Sequence, residues 1–452
     1  MPFELTRDYI SNLKELIDQY DSKTVRELIS SLHSADIAEI FNELTSEEAR
    51  FLYMLLDGET RADVLIEMEE DARERFLKVL SGEEIAKQLI TEMDSDDAAD
   101  VIGELSEELQ EEVLQHIKDV DQAGVIVDLL NYDEDTAGGL MAKELIKVNE
   151  NWDIPTCIRE MRKQAEDVDE VYFVYVVDNN NVLLGILSLK KLLLARRDAR
   201  IKNLYKSDII SVRADTHREE VANIMNKYDL VVLPVVDSIG RLIGRITIDD
   251  VVDVIREEAE RDYQLISGIS EDVEPTDNIF MLTRARLPWL AIGLLGGILA
   301  ALVLSSYEDE LRIYPEMAFF IPLIAAMGGN VGVQSSAIIV QGLASKTLGI
   351  ESTGRKLLKE LYVAILNGLI LSTIAFLYNL VRQESFSLTI TVSTALLSVI
   401  LFASFFGTFI PLLLRRFNID PALATGPFIT TMNDIIGLFI YLIIGRLFYG
   451  IF

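Results

Sequence analysis

The chain has 452 residues and a formal net charge of −32, from 41 Lys and Arg against 73 Asp and Glu. Basic and acidic residues balance at 9 each from Leu287 to Phe452, so the whole net charge lies in residues 1–286. A region this acidic repels nucleic acid and anionic lipid headgroups and attracts cations, although acidity that serves solubility alone is an open alternative. One cysteine, Cys157, excludes an intrachain disulfide, and three scattered histidines do not make a zinc site.

Residues 5–130 alternate short amphipathic stretches with acidic turns such as LTSEEA, LSGEEI and MDSDDA. Related pieces recur as ADIAEIF, RADVLIEM and DAADVIGEL, each an acidic turn followed by a short helix. This pattern predicts a stacked helical superhelix with many exposed carboxylates and no catalytic motif. Asp96 and Asp100 share one helix face, with Asp97 alongside, and their charges repel unless a cation bridges them. A solvated helix start is the other interpretation.

Residues 136–255 contain an internal repeat. VYVVDNNNVLLGILSLKKLLLA, from Val174, matches VLPVVDSIGRLIGRITIDDVVDV, from Val232, and the landmarks Asp178 and Asp237 are 59 residues apart. Each copy predicts a strand, a turn, a second strand and a helix.

The two copies resemble a tandem pair of CBS domains, a regulatory module that commonly senses adenosine nucleotides or ions. The nucleotide signature of that family is Ser or Thr followed three residues later by Asp. The second copy has Thr247 and Asp250, whereas the first has Ser188 and Lys191. The resemblance therefore implies ATP as a candidate regulator, but only one of the two copies matches the signature.

After the repeat, one predicted helix carries four acids, which are Asp253, Glu257, Glu258 and Asp262. Further along, TDNIFMLTRAR predicts another helix that runs straight into the first membrane span. Such a helix could transmit cytosolic motion to a pore, or it could be a passive linker.

Five later stretches are apolar enough, and near enough to the roughly 20 residues required, to cross a bilayer as helices. They are approximately Leu287–Tyr307, Met317–Leu343, Leu361–Leu380, Thr389–Leu414 and Ala424–Tyr449. Basic residues flank these spans on the side that also holds the acidic region: Arg284, Arg286, Lys346, Arg355, Lys356, Lys359, Arg415 and Arg416. With no signal pattern at its start, we expect the N-terminus in the cytosol and, after five spans, the C-terminus outside.

Two spans contain conspicuous polar residues. The second contains MGGNVGVQSS, including Gly328, Gly329 and Asn330, where glycines let helices approach closely or open to expose carbonyl groups. The fifth contains TTMNDIIG, which places Asp434 inside an apolar run, where an ionised carboxylate is costly unless it faces water or a counter-charge. The sequence favours a wet pathway, with small-residue packing and a structural aspartate at a helix break as the alternatives.

An acidic helical region, a CBS pair, a connecting helix and five spans together resemble the MgtE family of Mg²⁺ channels over essentially the whole chain. The most specific matches are EDTAGGLM (Glu134–Met141), MGGNVGVQSS (Met327–Ser336) and DPALATGPFITTMNDIIG (Asp420–Gly437). The resemblance implies a homodimer with its pore between the two protomers, in a lipid bilayer. For a bacterial chain that bilayer is the cytoplasmic (inner) membrane.

The resemblance also implies roles for particular positions. Asp434 matches the pore aspartate that selects the hydrated ion, and Asn330, Gly328 and Gly329 lie beside the pathway. Further acids match positions that bind regulatory Mg²⁺: Asp96, Asp100, Glu219, Asp229, Asp250, Asp253, Glu258, Asp262 and Asp420. Val333 stands where many relatives have a second Asn, and His217 and Arg261 stand where some have acids, so one or two regulatory ions are in question.

The expected fold is therefore an all-α superhelix (residues 1–132), an α+β CBS pair (133–256), acidic and connecting helices (257–286) and an all-α five-helix membrane domain (287–452). The expected function is Mg²⁺ import, closed by cytosolic Mg²⁺ that bridges acids of the first two domains. Mg²⁺ sheds its waters reluctantly and binds through one or two carboxylates, as two Asp434 side chains across a dimer axis would provide.

Two other function classes stay open. The first is an ion-coupled carrier for divalent metals such as Co²⁺, Mn²⁺ and Ni²⁺, since an isolated membrane Asp can relay protons. The second is a membrane-anchored CBS nucleotide sensor, which leaves Asp434 unexplained. An enzyme is not expected, because we find no phosphate loop, nucleophile elbow or metal-hydrolase spacing.

Overall fold

The computed structural model describes residues 3–165, 168, 171–271, 273, 277–344, 353–417, 419–424 and 426–449. The chain divides into two compact units, Met1–Ile255 and Arg256–Phe452.

The first unit begins with short helices, as the sequence predicted. They are α1 (Arg7–Asp18), α2 (Ser22–Ile29), α3 (Ser34–Asn42), α4 (Ser46–Tyr53), α5 (Gly58–Ile66), α6 (Glu70–Leu77), α7 (Gly82–Gln88), α8 (Ser95–Gly103), α9 (Glu107–His116) and α10 (Val120–Leu129). Two of the acidic turns start helices through hydroxyl and carboxylate side chains that bond to free backbone N–H groups. Thr45 with Glu48 and Ser81 with Glu84 form capping boxes at α4 and α7. Apolar faces then pack into one core around residues such as Leu52.

The repeat forms two three-stranded sheets of identical topology. The first contains β1 (Ile146–Asn149), β2 (Val174–Val177) and β3 (Leu183–Leu187), and the second contains β4 (Val212–Arg213), β5 (Val232–Val236) and β6 (Leu242–Thr247). The helices around them are α11 (Ile154–Gln164), α12 (Leu189–Leu194), α13 (Arg218–Tyr228) and α14 (Ile248–Ser267).

In each sheet the first two strands are parallel and the last two antiparallel. Val176 pairs with Gly185 in one copy and Val235 with Gly244 in the other, so the 59-residue offset holds at the level of strand register. The predicted pair of strand–turn–strand–helix units is confirmed.

The second unit contains five helices, among the described residues, that are long and apolar enough to cross a membrane. They are α15 (Ile279–Ser306), α17 (Ile321–Ala344), α18 (Thr353–Val381), α19 (Phe386–Arg416) and α20 (Pro427–Tyr449), and a short α16 (Glu308–Ile313) follows α15. This confirms the five predicted spans and the fold class. The predicted connecting helix continues into the first span, because α15 runs without a break past Pro288.

Helix α19 occupies the centre of this unit and packs against α17, α18 and α20, while α15 packs on α20. Val392 and Val399 of α19 are fully buried, as is Tyr441 of α20. Most of the surface of α15 and α18 is exposed and apolar, which suits contact with lipid.

Candidate functional site

Helix α17 has two different faces. One lines an open groove of about 320 Å³, called the membrane groove below. Its lining residues are Ala325, Ala326, Gly329, Asn330, Val333 and Gln334 of α17 with Thr430 and Asp434 of α20. The other face carries Gly328 and Gly332 and packs against α19 and α20.

Gly329 lets α17 lie close to the carboxylate of Asp434. A Cβ atom at this position would be 3.6 Å from Asp434 Oδ1 and 3.2 Å from Thr430 Cγ2. The side chain of Asn330 is exposed in the groove beside them. The structure thus brings together Asp434, Gly329 and Asn330, three of the four residues predicted for the pathway.

Gly328, the fourth of these residues, lies on the packed face. A Cβ atom there would be 3.1 Å from Val399 Cγ1 of α19. Gly332 lies on the same face, against the buried side chain of Asn433. Neighbouring glycines of one motif therefore have different surroundings, because successive helical residues differ by about 100° in direction.

A second group of acids lies in the first unit, where α8 faces the start of α14. This group, called the acidic cluster below, consists of Asp94, Asp96, Asp97, Asp100, Glu144 and Asp250. Burial raises the pKa of Asp97 to about 7, and the charge of Asp250 acts in the same direction. Burial also raises the pKa of Asp96 well above its ordinary value, with Asp97 and Asp250 as further causes.

Two members of the cluster have additional neighbours. Although the side chain of Asp100 is exposed at the edge of the cluster, neighbouring protein atoms displace water from its carboxylate and raise its pKa. The charge of Glu134 adds to this shift, while Arg73 opposes it. Asp250 Oδ2 accepts hydrogen bonds from Thr247 Oγ1 at 2.6 Å and from Thr247 N at 3.1 Å. These bonds lower the pKa of Asp250, but burial outweighs them and the net shift is upward.

Part of the cluster has the geometry of a metal site. Asp94, Asp96 and Glu144 each offer a carboxylate oxygen, and these oxygens lie within 4.8 Å of one another. Ser95 Oγ donates to Glu144 Oε2 at 2.8 Å and accepts from the backbone N–H of Lys143 at 3.0 Å. An all-oxygen set of carboxylates suits a hard cation such as Mg²⁺. Arg245 lies 3.8 Å from Asp94, and its positive charge partly balances the negative charge of the cluster.

The other predicted regulatory acids lie elsewhere. Glu219 and Asp229 are exposed at the two ends of α13, and Asp253 is exposed on α14 close enough to raise the pKa of Asp250. Glu258 and Asp262 are half-buried further along α14. Asp420 is exposed, and its carboxylate accepts a hydrogen bond from the backbone N–H of Ala422 at 2.8 Å.

The sequence did not point to Asp94 or Glu144 as ligands. Asp94 belongs to the MDSDDA turn, so its position before α8 was an available signal. Glu144 has no such signal, because the fold brings it to Ser95 from 49 residues away.

The residues of the nucleotide signature bond within the chain. Thr247 and Asp250 form a hydrogen bond with each other, and Ser188 caps α12 by accepting a hydrogen bond from the N–H of Lys191 at 3.3 Å.

Comparison with known proteins covers both units. Family models match for the MgtE intracellular N domain at residues 32–135, for CBS domains at 137–198 and 201–257, and for the MgtE divalent cation transporter at 321–444. The chain is 34% identical to the magnesium transporter MgtE of Thermus thermophilus, over 96% of this chain and 97% of that one. It is 31% identical to the magnesium transporter MgtE of Bacillus subtilis, over 92% of each.

A solved structure of the cytosolic domain of the Mg²⁺ channel MgtE in complex with ATP also matches. It is 33% identical and has a TM-score of 0.50, over 54% of this chain and 99% of that one. The relatives and the family models extend over the helical region, the CBS pair and the membrane helices. The chain is therefore a multi-pass membrane protein that belongs to the MgtE family of magnesium transporters.

Proposed function

We propose that two copies of this chain form a channel that conducts hydrated Mg²⁺ into the cytosol and closes when cytosolic Mg²⁺ binds the acidic cluster. The observation that supports this most directly is the membrane groove, in which Asp434 lies against the bare backbone of Gly329 and beside Asn330. The names of the relatives, magnesium transporters, agree with that ion.

The groove suits an ion that keeps its water. The groove of about 320 Å³ has room for several waters, because a single water needs only about 10–15 Å³ of such space. A single carboxylate supplies charge without a cage of ligands that would strip the ion. The groove is open along one side in a single chain, so a second copy would close it and place two Asp434 side chains around one ion.

Orientation follows from the flanking charges. Arg284 and Arg286 precede the first span and Arg415 and Arg416 follow the fourth, so alternating spans place all four on one side of the membrane, which we assign to the cytosol. The C-terminus then lies outside, and the membrane of a bacterial cell would be its cytoplasmic membrane.

Closure would follow from neutralising the acidic cluster. Without a cation, the carboxylates of Asp96, Asp97 and Asp250 repel one another or must be protonated, and Mg²⁺ would replace those protons. A ligand shifts a conformational equilibrium only if it binds one state more tightly than the other. Mg²⁺ would meet this condition, because the acids of the cluster come together only when α8 faces α14.

Helix α14 offers a route from cluster to pore. Its first turn carries Asp250, and its last turns pack on the membrane helices, where Leu265 is buried with Val340 of α17 and with Ala422. The carbonyl of Ile266 also lies against Gly426, next to the start of α20. Movement of α14 would therefore reach both groove-lining helices.

An ATP site at the second CBS copy stays a prediction. The solved relative bound to ATP supports it. Thr247 and Asp250 hydrogen-bond to each other, so a nucleotide would have to compete with that pair.

Current measured across reconstituted membranes tests the proposal. Under a Mg²⁺ gradient, wild-type current should fall as cytosolic Mg²⁺ rises, and Asp434→Ala should abolish the current. Asp309→Ala, which removes an exposed carboxylate of α16, is the matched control and should conduct normally. Flux that appears only with a proton or sodium gradient would instead identify an ion-coupled carrier, and equal currents for Mg²⁺, Co²⁺, Mn²⁺ and Ni²⁺ would contradict the selectivity.

A further inference from the structure

A second carboxylate lies among the membrane helices, away from the groove. Oε1 of Glu360, on α18, accepts hydrogen bonds from Ser335 Oγ of α17 at 2.7 Å and from Ser404 Oγ of α19 at 2.9 Å. The two hydroxyl oxygens are 3.2 Å apart. Both serines are buried and Glu360 is half-buried. One carboxylate oxygen thus joins three helices.

This group continues the packed face of α17. Gly328, Gly332 and Ser335 follow one another at helical spacing on that face, and the backbone of Gly332 meets Gly407 of α19. Contact between two glycines brings the helices close, but it provides no side chain that resists rotation or sliding. Ser404 lies about one turn from Gly407 on α19. The hydrogen bonds to Glu360 therefore form next to the glycine contact and can resist the rotation of α17 that this contact alone would allow.

We propose that Glu360 is a positioning residue that fixes the rotation of α17, so that Gly329 and Asn330 face the membrane groove. A rotation of α17 by one residue, about 100°, would turn Asn330 away from the groove. The inference rests on the proposed function only for its effect on ion flux, because the rotation of α17 can be measured without transport.

Hydrogen bonding, rather than charge, is the property of Glu360 that this role requires. Both hydroxyls donate to the same oxygen, and the amide oxygen of Gln can accept the same two bonds. Glu360→Gln should therefore preserve the position of α17. Glu360→Ala removes the shared acceptor, and although Ser335 Oγ can still donate to Ser404 Oγ at 3.2 Å, the hydroxyl of Ser404 loses the carboxylate to which it donates, which disfavours the native packing.

The experiment measures the exposure of position 330 to a water-soluble thiol reagent in the full chain carrying Asn330→Cys. The natural Cys157 is fully buried, and burial raises its pKa to about 11, so it reacts slowly at neutral pH. Adding Glu360→Ala should slow labelling at position 330 about tenfold, as expected for the loss of an acceptor shared by buried hydroxyls. Adding Glu360→Gln should change the rate less than about twofold, within the spread of neutral exchanges.

Ser372→Ala is the matched control, because it removes a buried hydroxyl of α18 that has no hydrogen-bond partner among the described residues. It should leave labelling unchanged. Unchanged labelling in Glu360→Ala would overturn the inference, and so would equal loss in Glu360→Gln, which would assign the effect to charge. In chains without Asn330→Cys, Mg²⁺ flux should fall in parallel with labelling. Absence of wild-type flux would reject the proposed function, while the labelling result would still decide the role of Glu360.

Discussion

The membrane groove and the acidic cluster both present carboxylates to a cation, but they differ in how many carboxylates meet. In the groove, the carboxylate of Asp434 lies among neutral side chains such as Asn330. In the cluster, Asp96, Asp97 and Asp250 lie close enough that burial and mutual repulsion raise their pKa values. The same chemical group is isolated in one unit and crowded in the other.

This contrast matches two different tasks. An ion that passes through must bind weakly enough to leave, and a single carboxylate acting through retained water does not hold Mg²⁺ tightly. An ion that controls a conformation must instead bind that conformation more tightly than any other. Crowded acids meet this condition, because their carboxylates repel one another in that conformation unless the ion is bound. The groove should therefore depend on space around its carboxylate, and the cluster on the number of its charges.

The largest effect is expected from filling the space at Gly329. Gly329→Val would add methyl groups toward Asp434 and Thr430, because even its Cβ lies 3.6 Å from Asp434 Oδ1. Moving a divalent ion from about 4 Å to about 7 Å from the carboxylate costs about 3.5 kcal/mol at an effective dielectric constant of about 20, so flux should fall by a factor of roughly several hundred. Flux into vesicles measures it. Gly297→Val of α15 is the control, since a Cβ there meets no atom of the described residues within 4 Å. Normal flux in Gly329→Val would show that the groove does not depend on space around Asp434.

The next effect concerns the number of charges in the cluster. Replacing Asp250 and Asp253 together by Ala removes a central acid and its neighbour on α14, so flux should no longer fall at the cytosolic Mg²⁺ concentration that closes the wild type. We expect the Mg²⁺ concentration for half-closure to rise at least about tenfold, the equivalent of about 1.4 kcal/mol of binding free energy.

The matched control is Glu107→Ala with Glu108→Ala, which removes two exposed acids at the start of α9. Closure of the Asp250 and Asp253 double variant at the wild-type Mg²⁺ concentration would show that the cluster does not control the gate.

The pH dependence of stability sharpens the contrast further. The pKa of Asp97 is raised to about 7 in the folded chain, from about 4 in an unfolded one. The folded state therefore binds more protons, so its extra stability is present below about pH 4 and is lost as the pH rises to about 7. In chelator, the first unit should unfold at progressively lower temperature between these pH values, and saturating Mg²⁺ should flatten the curve. A stability that rises with pH in chelator would have the wrong sign for a crowded cluster.

Much of this organisation could be predicted from the sequence. The spans follow from their length and apolar composition, and the paired sheets from the 59-residue repeat. Asp434 and Asn330 could be found because polar groups in a membrane span are costly and therefore conspicuous. The acids of α8 could be found because they follow one another in a single turn.

Other residues could not be found in this way. Which of Gly328 and Gly329 faces the groove depends on how α17 is rotated, and that is decided by packing against α19. Glu144 joins the cluster through tertiary structure, far from the other acids in sequence. Glu360 follows a run of basic residues, RKLLKE, and looks like part of a solvated helix start until the fold supplies Ser335 and Ser404.

The smallest effect is expected from changing a residue that holds a metal ligand in place rather than the ligand itself. Ser95, which is buried, donates to Glu144 and accepts from the backbone of Lys143. Ser95→Ala should free Glu144 to move and raise the Mg²⁺ concentration for half-closure about fivefold, the equivalent of about 1 kcal/mol for one hydrogen bond. Ser106→Ala is the control, because Ser106 lies at the start of α9 but makes no capping hydrogen bond with any described residue. If both variants close at the same concentration as wild type, the hydrogen bond from Ser95 does not hold Glu144 in place for Mg²⁺.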